Sequence, residues 1–181
     1  MCMRDGAGAS LRRIVAVALL SAAVPMMAVA APNLGRPAMP EEVARWDLSV
    51  FPDGQGLPQG RGSVADGAAI YREHCVSCHG AGGRGASAEE LAGASHRLTD
   101  PSPDKTIGSY WPYATTLFDY VRRSMPLNAP ASLDDNQVYA VTAYLLHLNG
   151  ILPEGSEIGR DSLPRVVMPN RQGFIAVDGG R

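Results

Sequence analysis

The chain has 181 residues, enough for one domain with tails, and its 45 % apolar and 19 % charged residues suit a folded core rather than a disordered polymer. A formal net charge of −2 at pH 7 excludes the strongly basic surface that is typical of nucleic-acid binding proteins. Gly (20) and Pro (14) are abundant and alternating β-branched runs are absent, so the sequence predicts a few helices joined by long loops.

The first thirty residues have the features of a secretory signal peptide. A basic start precedes an apolar stretch that ends in Ala28-Val29-Ala30, a small-residue cleavage site that would leave Ala31 as the first mature residue. The alternative is a retained membrane anchor, because the apolar residues 14–31 are at the short limit for crossing a bilayer. Pro25 and the alanine-rich end favour cleavage. We therefore expect a periplasmic protein with no membrane span after cleavage.

The chain beyond the signal peptide divides into a central segment, residues 63–150, and two outer segments, residues 31–62 and 151–181. Loss of residues 1–30 removes three of 16 basic and one of 18 acidic residues, which leaves a formal net charge of −4 and again argues against nucleic acid. The outer segments contain many Pro and Gly residues and little periodicity. We expect them to be extended, and to wrap the central domain or clasp a partner.

The first helix of the central segment is predicted to start at Ser63 or Asp66, both of which are common at helix N-termini. Gly67 precedes Tyr71 by four residues, so both lie on one face of this helix. A glycine on that face predicts a close crossing with another helix.

Two more helices are predicted further along the chain. One is amphipathic and covers residues 113–124, and the last covers residues 133–148 with a broad apolar face. Ser132 and Asp135 have the spacing of a capping box at the start of the last helix, and Asn149-Gly150 predicts its end.

The cysteines indicate the chemistry. Cys2 lies in the signal peptide, so the mature chain keeps only the pair in the run Cys75-Val76-Ser77-Cys78-His79. This is C-x-x-C-H, the attachment signature of a c-type haem. Two thiols on one helical turn reach the two vinyl groups of the macrocycle and form thioethers. His79, directly after the second thiol, is then held under the iron as the proximal ligand.

The Cys75–Cys78 pair has three other interpretations. A structural zinc site needs four ligands, and the sequence has no second cysteine pair and no closely spaced histidine pair. A thioredoxin-like redox pair needs a βαβ setting, which the sequence does not predict. A disulfide in a non-redox binding module is chemically reasonable in an oxidising compartment, but it gives no reason for the adjacent His79.

The distal iron ligand is predicted to be Met125. This residue lies between the haem motif and the last helix, on a loop that Pro126 and Pro130 would stiffen. Met168, followed by a proline, is the rival ligand and would require the C-terminal tail to return over the haem. A haem enzyme or gas sensor with an open distal position is the alternative, but His96 and His147 have no evident acid–base partner in the sequence.

Residues 63–150 resemble a class I cytochrome c domain, an all-α fold with three to four helices around one covalent haem. The flanking runs are more particular: Asn33-Leu34-Gly35-Arg36-Pro37, Ile107-Gly108-Ser109-Tyr110-Trp111-Pro112-Tyr113 and Met168-Pro169-Asn170-Arg171. With them, the chain is similar to the cytochrome subunits of the Sox sulfane dehydrogenase and of related sulfite dehydrogenases. Those Sox subunits are usually longer and carry two haems, whereas this chain has one motif.

This resemblance implies an electron-transfer subunit rather than a catalyst. Its partner would be the molybdenum-containing catalytic subunit of a sulfite or sulfane dehydrogenase, and a downstream cytochrome or oxidase would take the electrons onward. Carried over to this sequence, Cys75 and Cys78 anchor the haem, His79 is the proximal ligand and Met125 the distal one. The alternative within the same class is a general electron shuttle for another periplasmic dehydrogenase.

Overall fold

The computed structural model describes residues 35–175. The predicted signal peptide and its cleavage site at Ala30-Ala31 lie outside the described residues. The chain divides into two compact units, Met1–Met39 and Pro40–Arg181. Of the first, only residues 35–39 are described, and all of them are exposed. The description below concerns the second unit.

The predicted all-α fold is confirmed. The helices are α1 Pro40–Trp46, α2 Val64–His74, α3 Val76–His79, α4 Ile107–Tyr110, α5 Ala114–Ser124 and α6 Asp135–Leu148. Two 3-10 turns, Ala81–Gly83 and Leu163–Arg165, lie between or after them. Two short strands, β1 Arg61–Ser63 and β2 Glu157–Gly159, pair antiparallel with Gly62 opposite Ile158. The sequence did not predict this pair, because three-residue strands have no alternation to detect.

The helices α2 and α6 cross closely, and small residues at the crossing make this possible. A Cβ atom at Gly67 would overlap the backbone carbonyl of Ala140 in α6, so the predicted close crossing is confirmed. The rings of Tyr71 and Tyr144 pack beside it with centroids 5.3 Å apart. Tyr71 is 1 % exposed, and this burial raises the pKa of its phenol to about 12.

The N-cap of α2 is one of the two residues predicted from the sequence, whereas the N-cap of α6 is not the predicted residue. Ser63 is the N-cap of α2, and its hydroxyl accepts the Asp66 N–H at 3.1 Å. The predicted capping box of Ser132 with Asp135 is wrong. Asp134 is the N-cap of α6 instead, and it exchanges two 2.9 Å hydrogen bonds with Gln137. Ser132 still belongs to the preceding turn, where its N–H donates to a backbone carbonyl, so the helix begins later than predicted.

Residues 50–57, before β1, and residues 158–168, after α6, pack against the helices and supply part of the core. Val50 and Leu57 come from the stretch before β1, and Ile158, Leu163 and Met168 come from the stretch after α6. All five are at most 9 % exposed, so each segment buries apolar surface against the helices and stabilises the domain.

Polar contacts hold the N-terminal segment against α5. The buried carboxylate of Asp119 accepts the backbone N–H of Val50 at 3.0 Å and pairs with Arg123 one turn later. The neighbouring residue Arg122 forms an ion pair with Asp135 at 3.1 Å, and this pair connects α5 to the start of α6. The segment is therefore fixed by both apolar burial and hydrogen bonds.

Candidate haem site

The C-x-x-C-H run forms one short helical turn directly after α2. Cys75 breaks the helix, with φ −121° and ψ −34°, and α3 begins at the next residue. The backbone N–H groups of Cys78 and His79 both donate to the Cys75 carbonyl, at 3.1 and 2.9 Å. The two thiols and the imidazole therefore lie on a single turn, the geometry that attachment to one edge of a haem requires.

The two cysteine side chains differ in environment. Cys75 is half-buried against the core, and Cys78 is exposed. Burial, and secondarily the neighbouring Cys78 thiol, raise the pKa of Cys75 to about 11. Within residues 35–175, no group of three or more His, Cys, Asp or Glu side chains is placed to hold a metal ion.

His79 is oriented by a hydrogen bond of its own ring. Its Nδ1 lies 3.0 Å from the backbone carbonyl oxygen of Glu89. Because a carbonyl oxygen can only accept, Nδ1 carries a proton, and in the neutral imidazole it is Nε2 that has the lone pair. A neutral imidazole whose Nε2 is free and whose Nδ1–H is held by a carbonyl is the form that ligates a metal ion. These residues fit a covalently attached haem.

The loop that carries Glu89 folds back on the motif through backbone hydrogen bonds. Gly85 N–H donates to the His79 carbonyl at 2.8 Å, and Ala88 N–H donates to the Cys78 carbonyl at 2.9 Å. Gly80 starts this loop with φ +74°, a backbone conformation that favours glycine. A Cβ there would also overlap the Gly85 carbonyl, so glycine is required at this position for two reasons. The sequence did not identify Glu89, because its contribution is a backbone carbonyl that leaves no side-chain signature.

The two candidate distal methionines lie in different environments. Met125 is the C-cap of α5 and is half-buried against the core, at the start of a loop whose Leu127 is 78 % exposed. Met168 comes from the C-terminal segment and is 1 % exposed inside the main apolar cluster. The identity of the distal ligand stays a prediction.

The histidines considered for acid–base chemistry have structural partners. His147 Nδ1 lies 3.0 Å from the Leu152 carbonyl, just beyond the end of α6. His96 does have a carboxylate partner, which the sequence did not reveal: its Nδ1 lies 3.2 Å from Asp104. Asp104 also accepts the backbone N–H groups of Ser95 and His96, at 2.7 and 2.8 Å, so it closes a surface loop.

That loop is expected to loosen in acid. The backbone N–H donors of His96 and Ser95 lower the pKa of Asp104 below its ordinary value of 3.8. A carboxylate with a lowered folded-state pKa stabilises the fold above its unfolded pKa, and this contribution is lost as pH falls through the folded value. We expect the amides of Ser95 and His96 to be protected from hydrogen exchange at pH 5 and to lose that protection below about pH 3.8.

The matched variant for this prediction is Asp104→Asn, whose amide oxygen still accepts a hydrogen bond but does not titrate. Its exchange protection is expected to be weaker than that of the wild type and flat over the same pH range. Equal protection of the wild-type amides at pH 5 and pH 3 would contradict the assignment of Asp104 as the group that closes this loop.

Comparison with known proteins agrees with the fold and with the site. Residues 64–149 match the family model described as Cytochrome c. A chain of the crystal structure of the sulfane dehydrogenase SoxCD from Paracoccus pantotrophus is 47 % identical, with a TM-score of 0.75. That similarity covers 82 % of this chain and 73 % of the SoxCD chain. A comparison with curated protein sequences gives no match.

The chain belongs to the cytochrome c family: it is a class I c-type cytochrome, an electron-transfer protein with covalently attached haem c. Within that class it is related to the Sox cytochromes, as its similarity to the SoxCD chain shows. Within residues 35–175, no helix is both long and apolar enough to span a bilayer.

Proposed function

We propose that this cytochrome is the electron-accepting subunit of a molybdenum-containing sulfite or sulfane dehydrogenase that oxidises sulfur compounds in the periplasm. The observation that carries the proposal is the extent of the similarity to the SoxCD chain. It covers 82 % of this chain, whereas the family model covers only residues 64–149. The likeness therefore extends beyond the cytochrome c domain into the outer segments, where contacts with a partner subunit would lie.

The ligand set that fits electron transfer is His79 with Met125. Bound haem c supplies a one-electron ferric/ferrous couple, and a six-coordinate His/Met iron has no position left for a substrate. Met168 is enclosed by protein side chains, whereas Met125 is only half-buried and stands at the head of a loop. A ligand needs a side that faces the cofactor, so burial favours Met125 over Met168.

The surface near the motif suits electron exchange with a partner. Cys78, which would anchor one edge of the haem, lies at the surface of the protein chain. The apolar side chain of Leu127, on the methionine loop, is also exposed. A small apolar surface of this kind supports brief contact with an electron donor and with a downstream cytochrome or oxidase.

The N-terminal helix offers a second surface, which suits a lasting complex. None of the residues of α1 is buried, and Trp46 at its end is 85 % exposed. Val43 and Phe51, close to it in sequence, are about half-exposed. Exposed large apolar side chains, tryptophan above all, are typical of protein interfaces. We infer that this helix binds the dehydrogenase subunit.

The test is haem reduction in a reconstituted pair. The haem-loaded cytochrome is mixed with a purified molybdenum sulfite or sulfane dehydrogenase subunit from the same source, and the ferrous absorption band is followed after substrate is added. Reduction that requires both the dehydrogenase and its sulfur substrate is expected. Equal reduction by unrelated periplasmic dehydrogenases would favour the general shuttle, and rapid carbon monoxide binding to the reduced protein would favour an open haem site.

The contribution of α1 is tested with Trp46→Ala in the same assay. We expect the affinity for the dehydrogenase subunit to fall at least tenfold, because truncation of an interface tryptophan commonly costs about 2 kcal/mol. The haem spectrum should be unchanged. Leu98→Ala is the control, since Leu98 is also a partly exposed apolar residue but lies in the surface loop near His96. Unchanged affinity of Trp46→Ala would exclude α1 from the interface.

A further inference from the structure

The side chain of Asn149 joins three segments of the chain at the end of α6. Its Nδ2 donates to the backbone carbonyls of Leu91 and Leu145, at 3.1 and 2.9 Å. Its Oδ1 accepts the backbone N–H of Gly108 at 3.0 Å. Both ends of the amide are therefore used, and two of the three bonds reach segments more than forty residues away in sequence.

One of those bonds fixes the loop that orients His79. The Leu91 carbonyl also accepts the Ile107 N–H at 3.1 Å, and the Leu91 N–H donates to the Gly83 carbonyl at 2.7 Å. Leu91 is thus held at both its backbone polar groups. Glu89, whose carbonyl accepts from the His79 ring, lies only two residues earlier. The position of that carbonyl therefore depends on how firmly Leu91 is held.

Gly108 allows Asn149 to sit at this junction. A Cβ atom at Gly108 would lie 2.8 Å from the Asn149 Oδ1 and 3.0 Å from its Cβ, closer than side chains normally approach. The absence of a side chain lets the N-terminal turn of α4 come into hydrogen-bond distance of the amide. The hydrogen bond between the Gly108 N–H and Asn149 therefore depends on glycine at position 108.

We propose that Asn149 is a positioning residue for the proximal imidazole: by holding Leu91, it keeps the Glu89 carbonyl on the Nδ1–H of His79. A firm Nδ1–H···O=C bond raises the basicity of Nε2 and so stabilises ferric over ferrous iron. A weaker Nδ1–H···O=C hydrogen bond therefore favours ferrous iron, which raises the reduction potential. This inference rests on the proposed role of His79 as the proximal ligand.

The test compares Asn149→Leu with Asn136→Leu in the haem-loaded protein. Both are Asn-to-Leu changes on or beside α6, but Asn136 lies in its first turn, where its side chain accepts the Arg61 N–H at 2.9 Å. In Asn149→Leu we expect the ferrous form to be favoured about threefold, which is a rise in potential of about 28 mV at 59 mV per tenfold change. The His79 Nδ1–H proton, followed by NMR, should exchange faster with solvent. Asn136→Leu should lose stability but change neither the potential nor this exchange rate.

Two more variants keep the test decisive if Asn149→Leu does not fold. Gly108→Ala presses on Asn149 without removing any hydrogen-bonding group, and it should move the potential and the proton exchange in the same direction by a smaller amount. Asn149→Gln, which retains the amide, should recover part of the wild-type potential. A wild-type potential in Asn149→Leu and Gly108→Ala, or a lowered one, would overturn the proposal. A wild-type protein in which His79 does not ligate iron would instead overturn the proposed ligand set.

Discussion

Replacement of Met125 by alanine is expected to abolish the weak near-infrared absorption band of the ferric protein, which is characteristic of a His/Met haem. Loss of the thioether ligand removes the stabilisation that it gives to ferrous iron, so the reduction potential should fall by an amount on the order of 0.2 V. The vacated position should also let the reduced protein bind carbon monoxide rapidly. Absorption spectroscopy and potentiometry of the haem-loaded protein measure these effects.

Met168→Ala is the matched control for Met125→Ala, because it removes the same side chain from the fully buried core. It should leave a cavity that lowers the free energy of unfolding by about 2–5 kcal/mol, with the near-infrared band retained. If the band disappears in Met168→Ala and persists in Met125→Ala, the C-terminal segment supplies the distal ligand. If the wild type lacks the band and binds carbon monoxide, the electron-transfer ligand set is wrong.

Gly67→Ala is expected to lower the free energy of unfolding by about 3 kcal/mol, although alanine is the better helix former. Intrinsic helix propensity alone would make this variant about 1 kcal/mol more stable than the wild type. The added Cβ, however, would overlap the Ala140 carbonyl, and neither backbone can move without separating α2 from α6. The two effects have opposite signs, so chemical denaturation of the haem-loaded protein distinguishes them directly.

Ala69→Gly provides the reference for helix propensity in this experiment. Ala69 lies two residues further along α2 and is exposed, so its replacement by glycine should cost about 1 kcal/mol by propensity alone. A Gly67→Ala protein that is as stable as the wild type, or more stable, would show that the crossing has room for a methyl group.

The sequence predicted the parts of the fold that side-chain patterns control. The start of α2 followed from Ser63, and the close crossing followed from Gly67, because a cap and a missing side chain are both readable in sequence. The start of α6 was misjudged. Asp134 with Gln137 forms the capping box, while Ser132 is still held in a turn that sequence spacing alone does not reveal.

The sequence motif predicts the haem attachment residues, whereas it gives no indication of the groups that hold them in place. Cys75, Cys78 and His79 form a motif with few competing explanations. The carbonyl of Glu89 has no residue-type signal, since every residue carries one. The role of Asn149 depends on segments that are distant in sequence. Contacts of this kind depend on how distant segments of the chain fold together. They therefore cannot be identified from the local sequence around the motif.

The crossing of α2 with α6 also joins parts of the chain that are far apart in sequence. Gly67 meets Ala140, so the core cannot close until a further seventy or so residues have been delivered beyond α2. The Cys75–His79 segment directly follows α2, so it precedes the helix that completes this crossing in the order of the chain. Cys75 is half-buried against the assembled core, so its thiol is more accessible before the core has formed. The half-burial of Cys75 thus favours haem attachment to the unfolded chain over attachment to the folded one.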